Sequence, residues 1–295
     1  MKITKSLTKT LLCKVYRQKS VLHLERFMKD KVVIITGASS GIGKALAFSF
    51  GREGAKIVIT GRKEIPLMEV SYELTNERIE NFAFISDVSI EADNAEMIKK
   101  TIQKYGKVDV LINNAGISMR ALFSEVKLEV LKSVMDVNFW GTVYCTRYAI
   151  DHLIKSKGSL VGISSIAGIQ GLPGRTGYSA SKFAMQGFLE SVRIENLKNG
   201  LDVLIACPGF TASNIRNVAL SKDGSSQGES PLNESKIANT DTVANEIVKG
   251  IIQQKRVLVL SFQGKITIWL RKFFPAFLDK QVFNHFAAEP DSPLK

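Results

Sequence analysis

The chain has 295 residues, 45% hydrophobic and 23% charged, a composition of folded globular proteins that excludes disorder for the bulk of it. Cys13, Cys145 and Cys207 are too widely spaced for a disulfide framework or a CxxC knuckle, and His23, His152 and His285 for a preformed metal site. No run approaches the roughly 18 apolar residues of a membrane-spanning helix, so the sequence reads as a reduced, non-secreted, metal-free protein of the cytoplasm.

The net charge of +12 is unevenly spread. Residues 1–27 hold seven bases against Glu25 alone, so half of the excess sits in this leader. With no RNA-binding aromatic signature besides, a nucleic-acid partner is not expected. The leader (1–28) lacks the unbroken apolar core of a secretory signal. It is basic, hydroxyl-bearing and poor in acids, which fits a targeting peptide or a membrane-surface arm. Met28, immediately before the first strand, is equally well placed to be the true start.

From Lys31 the pattern becomes a regular alternation of apolar strands and amphipathic helices. Strands are predicted at Lys31–Thr36, Ala55–Thr60, Asn81–Ser86, Val108–Asn113, Ser159–Ser164, Asp202–Cys207 and Arg256–Leu260, with a helix over Ile42–Phe50 and further helices between the later strands. Continuous β-branched strands separated by helices imply a parallel sheet covered on both faces and joined by right-handed crossovers. The expected fold is one α/β domain over 29–263, a doubly wound seven-stranded parallel sheet.

Two segments break the rhythm. Residues 211–240 are rich in Ser, Asn and Gly and follow the sixth strand at the edge where ligands bind, so they are expected to form a mobile substrate lid. The tail, 264–295, interleaves aromatics with bases, as in Trp269-Leu270-Arg271-Lys272-Phe273-Phe274. Such an amphipathic segment suits either a bilayer surface or packing on the domain or a neighbouring subunit.

The first strand runs through Thr36-Gly37-Ala38-Ser39-Ser40-Gly41-Ile42-Gly43 directly into a helix. Gly37 permits the tight exit, Gly41 lets backbone approach a pyrophosphate, and Gly43 allows close helix–sheet packing. The free N–H groups of Ser40, Gly41 and Ile42 at the helix start would attract the diphosphate of a dinucleotide. After the second strand comes Gly61-Arg62-Lys63, with no acid to receive a ribose 2′-hydroxyl. A guanidinium pairs well with a 2′-phosphate, so Arg62, helped by Lys63 and Ser39, argues for NADP(H); a solvated arginine at a helix start is the plainer alternative.

Tyr178 and Lys182 stand four residues apart and share one face of a predicted helix. A free phenol titrates near 10 and exchanges protons poorly at neutral pH, but a neighbouring cation favours phenolate. Ser165, just past the fifth strand, could hydrogen-bond a carbonyl oxygen at the same edge.

With these motifs in hand the chain resembles the short-chain dehydrogenases/reductases of the single Rossmann-domain subgroup. The likeness covers nearly all of 29–263: the TGxxxGIG turn at Thr36–Gly43, Asn113-Asn114-Ala115-Gly116, Asn138, Ser164-Ser165, Tyr178 with Lys182, and Pro208-Gly209. It implies that Tyr178 is the acid/base, that Lys182 lowers its pKa and holds the nicotinamide ribose, and that Ser165 steadies the substrate oxygen. It further implies that Asn138 anchors a water-linked proton relay and that Asp87 and Val88 flank the adenine. Asn114, Ala115 and Gly116 would lie along the cofactor, and Pro208, Gly209 and Thr211 at its nicotinamide end. Plainer readings stand beside these: Asn138 as a cap for a neighbouring strand, Asp87 as a helix N-cap, and Ser164 facing the pocket instead of Ser165, although the family's thirteen-residue spacing to Tyr178 favours Ser165.

The expected activity is hydride transfer between nicotinamide and a ketone or secondary alcohol. Pocket walls expected at Met119, Leu172 and Phe210 are apolar, which suggests a lipophilic substrate: a steroid, retinoid, acyl or aromatic ketone. A catalytically weak NADP(H)-binding regulatory protein is the alternative from another class. The resemblance also implies a homo-dimer or tetramer, through helices at 121–153 and 177–199, and the tail resembles that of membrane-associated members, giving peripheral membrane contact.

Overall fold

The computed structural model describes residues 28–212, 214–228, 237–289 and 292–295; the leader before Met28 lies outside the described residues, as do 213 and 229–236 of the expected lid. Seven strands form one parallel sheet: β1 (Val32–Ile35), β2 (Lys56–Gly61), β3 (Asn81–Ile85), β4 (Val110–Asn113), β5 (Ser159–Ile163), β6 (Asp202–Cys207) and β7 (Val257–Val259). Their order is β3-β2-β1-β4-β5-β6-β7, so the chain winds outward from β1 in one direction and from β4 in the other. The doubly wound sheet read from the sequence is the fold observed.

Side-chain alternation explains the two covered faces. In β1, Val33 and Ile35 enter one buried cluster while Val32 and Ile34 enter the other, because successive strand residues point to opposite faces. The first cluster is closed by α1 (Gly41–Arg52), α2 (Glu64–Asn76) and α7 (Thr240–Ile252), through Leu46, Phe50, Leu67 and Ile247. The second is closed by α3 (Glu91–Tyr105), α5 (Gly141–Lys155) and α6 (Thr176–Glu195), through Met97, Leu153, Met185 and Leu189. Helix α4 (Leu128–Met135) leads into α5 through one π-helical turn, Asp136–Trp140, an irregularity that commonly marks functional sites.

Two further helices, α8 (Phe262–Phe273) and α9 (Pro275–Ala287), make up most of the tail. The helix begins two residues before the expected boundary at 264 because Ser261 caps it, its Oγ accepting from the Gly264 N–H at 3.0 Å. The segment packs back on the domain in part: Leu278, Phe286, Glu289 and Ser292 are buried. Phe262, Trp269, Phe273, Phe274 and Phe277 remain more than half exposed.

Candidate active site

The β1–α1 turn has the geometry its glycines predict. Gly37 has φ +63°, and a Cβ on it would fall 2.7 Å from the Ala115 Cα, so the turn lies against the β4 loop at a distance only glycine permits. A Cβ on Gly43 would meet the Asn114 amide nitrogen and the Gly37 carbonyl oxygen, both at 2.5 Å. That loop also fixes the turn by hydrogen bonds. The Thr36 hydroxyl accepts from the backbone N–H of Asn114 and of Ala115, each at 3.0 Å, and the Asn114 side chain donates to the Thr36 and Gly37 carbonyls at 2.8 and 3.0 Å.

At the end of β2, Arg62 and Lys63 are exposed on the rim of the same cleft. The Ser39 hydroxyl approaches the end of this strand, 3.6 Å from where a Cβ on Gly61 would stand. Arg62 pairs with Asp87, Nη1 to Oδ2 at 3.6 Å. The second Asp87 oxygen accepts from the N–H and hydroxyl of Ser89 at 2.9 and 2.7 Å, and α3 starts at Glu91 with Ile90 at its N-cap, so Asp87 builds a local turn and caps no helix.

Across the sheet, Ser165, Tyr178 and Lys182 come together. Ser165 has extended backbone and caps a single 3₁₀ turn, Ile166–Gly168, its Oγ accepting from the Ala167 N–H at 3.1 Å. Burial pushes the Tyr178 phenol up from its ordinary value, while its hydrogen bond with Ser165 and the Arg175 charge pull it down. Ser165 is therefore the serine that meets the tyrosine; the Ser164 hydroxyl accepts from the Gln186 amide at 2.8 Å. Lys182 is buried, donates to the Ile163 carbonyl at 2.8 Å and lies 5.8 Å from the Tyr178 ring centroid. Burial pushes its ammonium down to about 8. It is thus a lysine able to exchange its proton near neutral pH.

Asn138 occupies the π-helical turn, fully buried. Its carbonyl oxygen accepts from the Ile117 N–H at 2.8 Å, and its amide donates to the Ile117 carbonyl and the Ser181 hydroxyl, both at 2.9 Å. Ser181 in turn donates to the Tyr178 carbonyl at 2.8 Å. Asn138 therefore ties the β4 loop to α6 and caps no strand.

One cavity of about 600 Å³ runs from the glycine turn past Asp87 and Val88 and along Asn114, Ala115 and Gly116 to the Ser165–Tyr178–Lys182 group, with Gly43 and Asn138 behind its wall. Leu172, Pro208, Gly209, Phe210 and Thr211 line it as well. Met119 does not. It is fully buried in a cluster with Ala121, Val126, Val130 and Val134, on which Tyr178 packs, and its backbone bridges to Leu220. Of the expected lid, Asn214, Ile215, Arg216 and Val218 also line the cavity. The segment ends at Asn239, which caps α7 by accepting from the Asp241 N–H at 2.7 Å.

Sequence reasoning missed Arg175. It precedes α6, lines the cavity three residues before Tyr178, and is held by Glu289 from far along the chain. No local pattern joins residues 114 positions apart.

A doubly wound sheet with this glycine turn after β1 and a Ser–Tyr–Lys group after β5, both at its carboxyl edge, defines a class of dinucleotide-dependent oxidoreductases. The chain belongs to the short-chain dehydrogenase family, whose model matches residues 31–223. It is 34% identical over 270 residues to dehydrogenase/reductase SDR family member 7B of Xenopus tropicalis, covering 88% of this chain and 87% of that protein. It is 30% identical over 272 residues to 11-beta-hydroxysteroid dehydrogenase A of Sesamum indicum, covering 90% of this chain and 78% of the other. A short-chain dehydrogenase/reductase of Burkholderia phymatum, solved in complex with NAD, shares the fold with a TM-score of 0.75 at 23% identity, over 85% of this chain and 95% of that one. An alcohol dehydrogenase of the archaeon Thermococcus sibiricus, complexed with 5-hydroxy-NADP, does so with a TM-score of 0.69 at 24% identity, over 79% and 95%.

Proposed function

We propose that this short-chain dehydrogenase is an NADP(H)-dependent carbonyl reductase or alcohol dehydrogenase for a lipophilic ketone or secondary alcohol. The observation that carries the reading is the single cavity joining the glycine turn to Ser165, Tyr178 and Lys182. The residues present fit the cofactor: a backbone cradle closed to any side chain at Gly37 and Gly43, followed by a basic rim at Arg62 and Lys63 beside the Ser39 hydroxyl. When bound, the nicotinamide would supply or accept the hydride.

The chain's own groups handle the oxygen and the proton. Ser165 and Tyr178 orient the substrate oxygen by hydrogen bonds, and the Tyr178 hydroxyl donates its proton as the carbonyl becomes an alcohol. The Lys182 ammonium favours the resulting phenolate and returns a proton to it. Asn138 holds Ile117 and Ser181 in place, which sets the position of α6 against the β4 loop. Leu172, Phe210, Ile215 and Val218 give the substrate end an apolar wall, which favours a steroid, retinoid, acyl or aromatic ketone. The name of the Sesamum indicum relative agrees with the first of these.

The protein is further proposed to form a homo-dimer or tetramer, since Leu128, Trp140 and Tyr148 near or on α4 and α5, with Ile194 and Leu197 at the end of α6, expose apolar surface. Among the described residues no helix is long and apolar enough to cross a membrane. The exposed aromatics of α8 and α9 beside Lys265, Arg271, Lys272 and Lys280 support peripheral contact with an anionic bilayer by a protein otherwise in the cytoplasm.

The test is NADPH and NADH oxidation with a panel of lipophilic ketones, for the protein and its Tyr178→Phe variant. The expected result is turnover that prefers NADPH and falls by about a hundredfold or more in the variant, with NADPH binding retained. NADPH binding without turnover of any ketone would support the regulatory alternative instead.

A further inference from the structure

The end of the chain reaches the active site. Glu289 is buried between two arginines, its carboxylate 3.3 Å from Nη2 of Arg120 and 3.4 Å from Nη2 of Arg175, and both guanidinium groups are themselves nearly buried. The Arg175 guanidinium also lies over the Phe286 ring, Cζ to centroid 4.6 Å, and Phe286 is buried. His285 packs edge-on to Phe286 and stacks with Phe210, a cavity-lining residue, at 6.3 Å. Pro293 abuts Gly174, and the Gly174 carbonyl accepts from the Ala121 N–H at 2.9 Å. His285, Phe286, Glu289 and Pro293 therefore grip, from outside, the short segment that leads into α6.

Arg175 is the hinge of this arrangement. It stands where α6 begins, one face against Phe286, one nitrogen on Glu289, and the side chain on the cavity wall beside Tyr178. A buried guanidinium is tolerated only where a carboxylate and a ring face replace water, and both are supplied by the C-terminal segment.

We propose that Arg175 is a positioning residue for Tyr178, kept at the phenol by Glu289, so that docking of the C-terminal segment completes the active site. The inference rests on the dehydrogenase reading for its consequence in catalysis, but not for its physical content. The groups that act on the phenol are Lys182 on its own helix, Arg175 before it, Ser165 in the 3₁₀ turn and Cys207 at the end of β6. Of these, Arg175 is the one whose place depends on residues outside the dinucleotide-binding domain. A cation near a phenol favours phenolate, so displacing it drives the titration of Tyr178 upward.

The test is ultraviolet titration of phenolate in the full chain, with the Tyr178→Phe difference isolating this tyrosine, for Arg175→Met, Arg175→Lys, Glu289→Gln and the Arg175→Met/Glu289→Gln pair. Circular dichroism and NADPH binding verify that each variant is folded. Arg175→Met is expected to raise the Tyr178 titration by about one pH unit, and Arg175→Lys to recover most of that. Glu289→Gln should move it in the same direction, and the double variant no further than Arg175→Met alone, because the two residues act through one contact.

An unchanged titration in Arg175→Met overturns the proposal. A downward shift in Glu289→Gln overturns the positioning role of the C-terminal segment, because it shows that the carboxylate merely screens the guanidinium. Should Arg175→Met not fold, the Arg175→Lys and Glu289→Gln titrations decide by the same signs. None of these readings needs a substrate, so a failure here and a failure to reduce ketones are separate results. If ketone reduction is found, the alkaline limb of its pH profile should follow the same shifts.

Discussion

Asn138 and Lys182 converge on the α-carbon of Gly116. A Cβ built there would stand 3.2 Å from the Asn138 Oδ1 and 3.5 Å from the Lys182 Nζ. The gap between the two side chains therefore exists because residue 116 carries none, and it is where the proposed proton relay to Lys182 would run.

Filling that gap is the first test. Gly116→Ala should fold, because the methyl meets the flexible end of a lysine and an amide rather than backbone. Its kcat should fall by about tenfold or more if proton return to Lys182 limits turnover. Stopped-flow measurement of the solvent isotope effect checks this: the effect should grow in the variant. Unaltered kcat and isotope effect would remove the relay from this position.

Cofactor choice is tested at Arg62. Arg62→Asp replaces a fork of donors with a carboxylate beside Asp87, which repels a 2′-phosphate and can accept from a 2′-hydroxyl. The ratio of kcat/KM for NADPH to that for NADH should drop by about tenfold to a hundredfold. A ratio that stays put would assign Arg62 to its pairing with Asp87 alone.

The buried ammonium of Lys182 predicts a pH dependence of stability. Burial pushes its titration down to about 8, from about 10.4 in the unfolded chain. Below 8 both states carry the proton and the penalty of burying it, on the order of 3 kcal/mol, is fully present. Between about 8 and 10 the unfolded chain binds more protons than the folded one, so rising pH relieves the penalty. The melting temperature of the wild type minus that of Lys182→Met should accordingly increase from pH 7 to pH 10. A difference that is flat or declines would mean the lysine is not buried as a cation.

Membrane contact is tested at the exposed aromatics. Trp269→Ser combined with Phe273→Ser removes two rings that are 54% and 55% exposed. Co-sedimentation with phosphatidylcholine–phosphatidylserine vesicles should fall by about tenfold or more, with NADPH binding untouched. Equal sedimentation of the variant would point to a subunit neighbour as the partner of this face.

The sheet was legible in the sequence because each strand is a short, largely apolar run between turn residues, and the observed strands fall within or one residue beyond the predicted spans. The glycine turn was legible for the same local reason: Gly37, Gly41 and Gly43 follow a strand and open a helix within eight residues. Tyr178 and Lys182 were paired correctly because a helix repeats on itself every four residues. Such signals are carried by neighbours in the chain and survive without any knowledge of the fold.

Other features depended on the tertiary structure. Met119 was expected on the cavity wall because an apolar residue beside the β4 loop reads as lining; only the packing of Ala121, Val126, Val130 and Val134 around it shows that it belongs to a buried cluster. That the Gln186 amide donates to the Ser164 hydroxyl, while Ser165 meets Tyr178, could be read only from the packed structure. Glu289 and its two arginines left no trace in the sequence, since a charged residue near a chain end reads as solvated until packing removes the water around it. Local periodicity thus determined the elements and the Tyr178–Lys182 pair, whereas contacts between distant segments, made only when the sheet brings them together, decided what surrounds that pair.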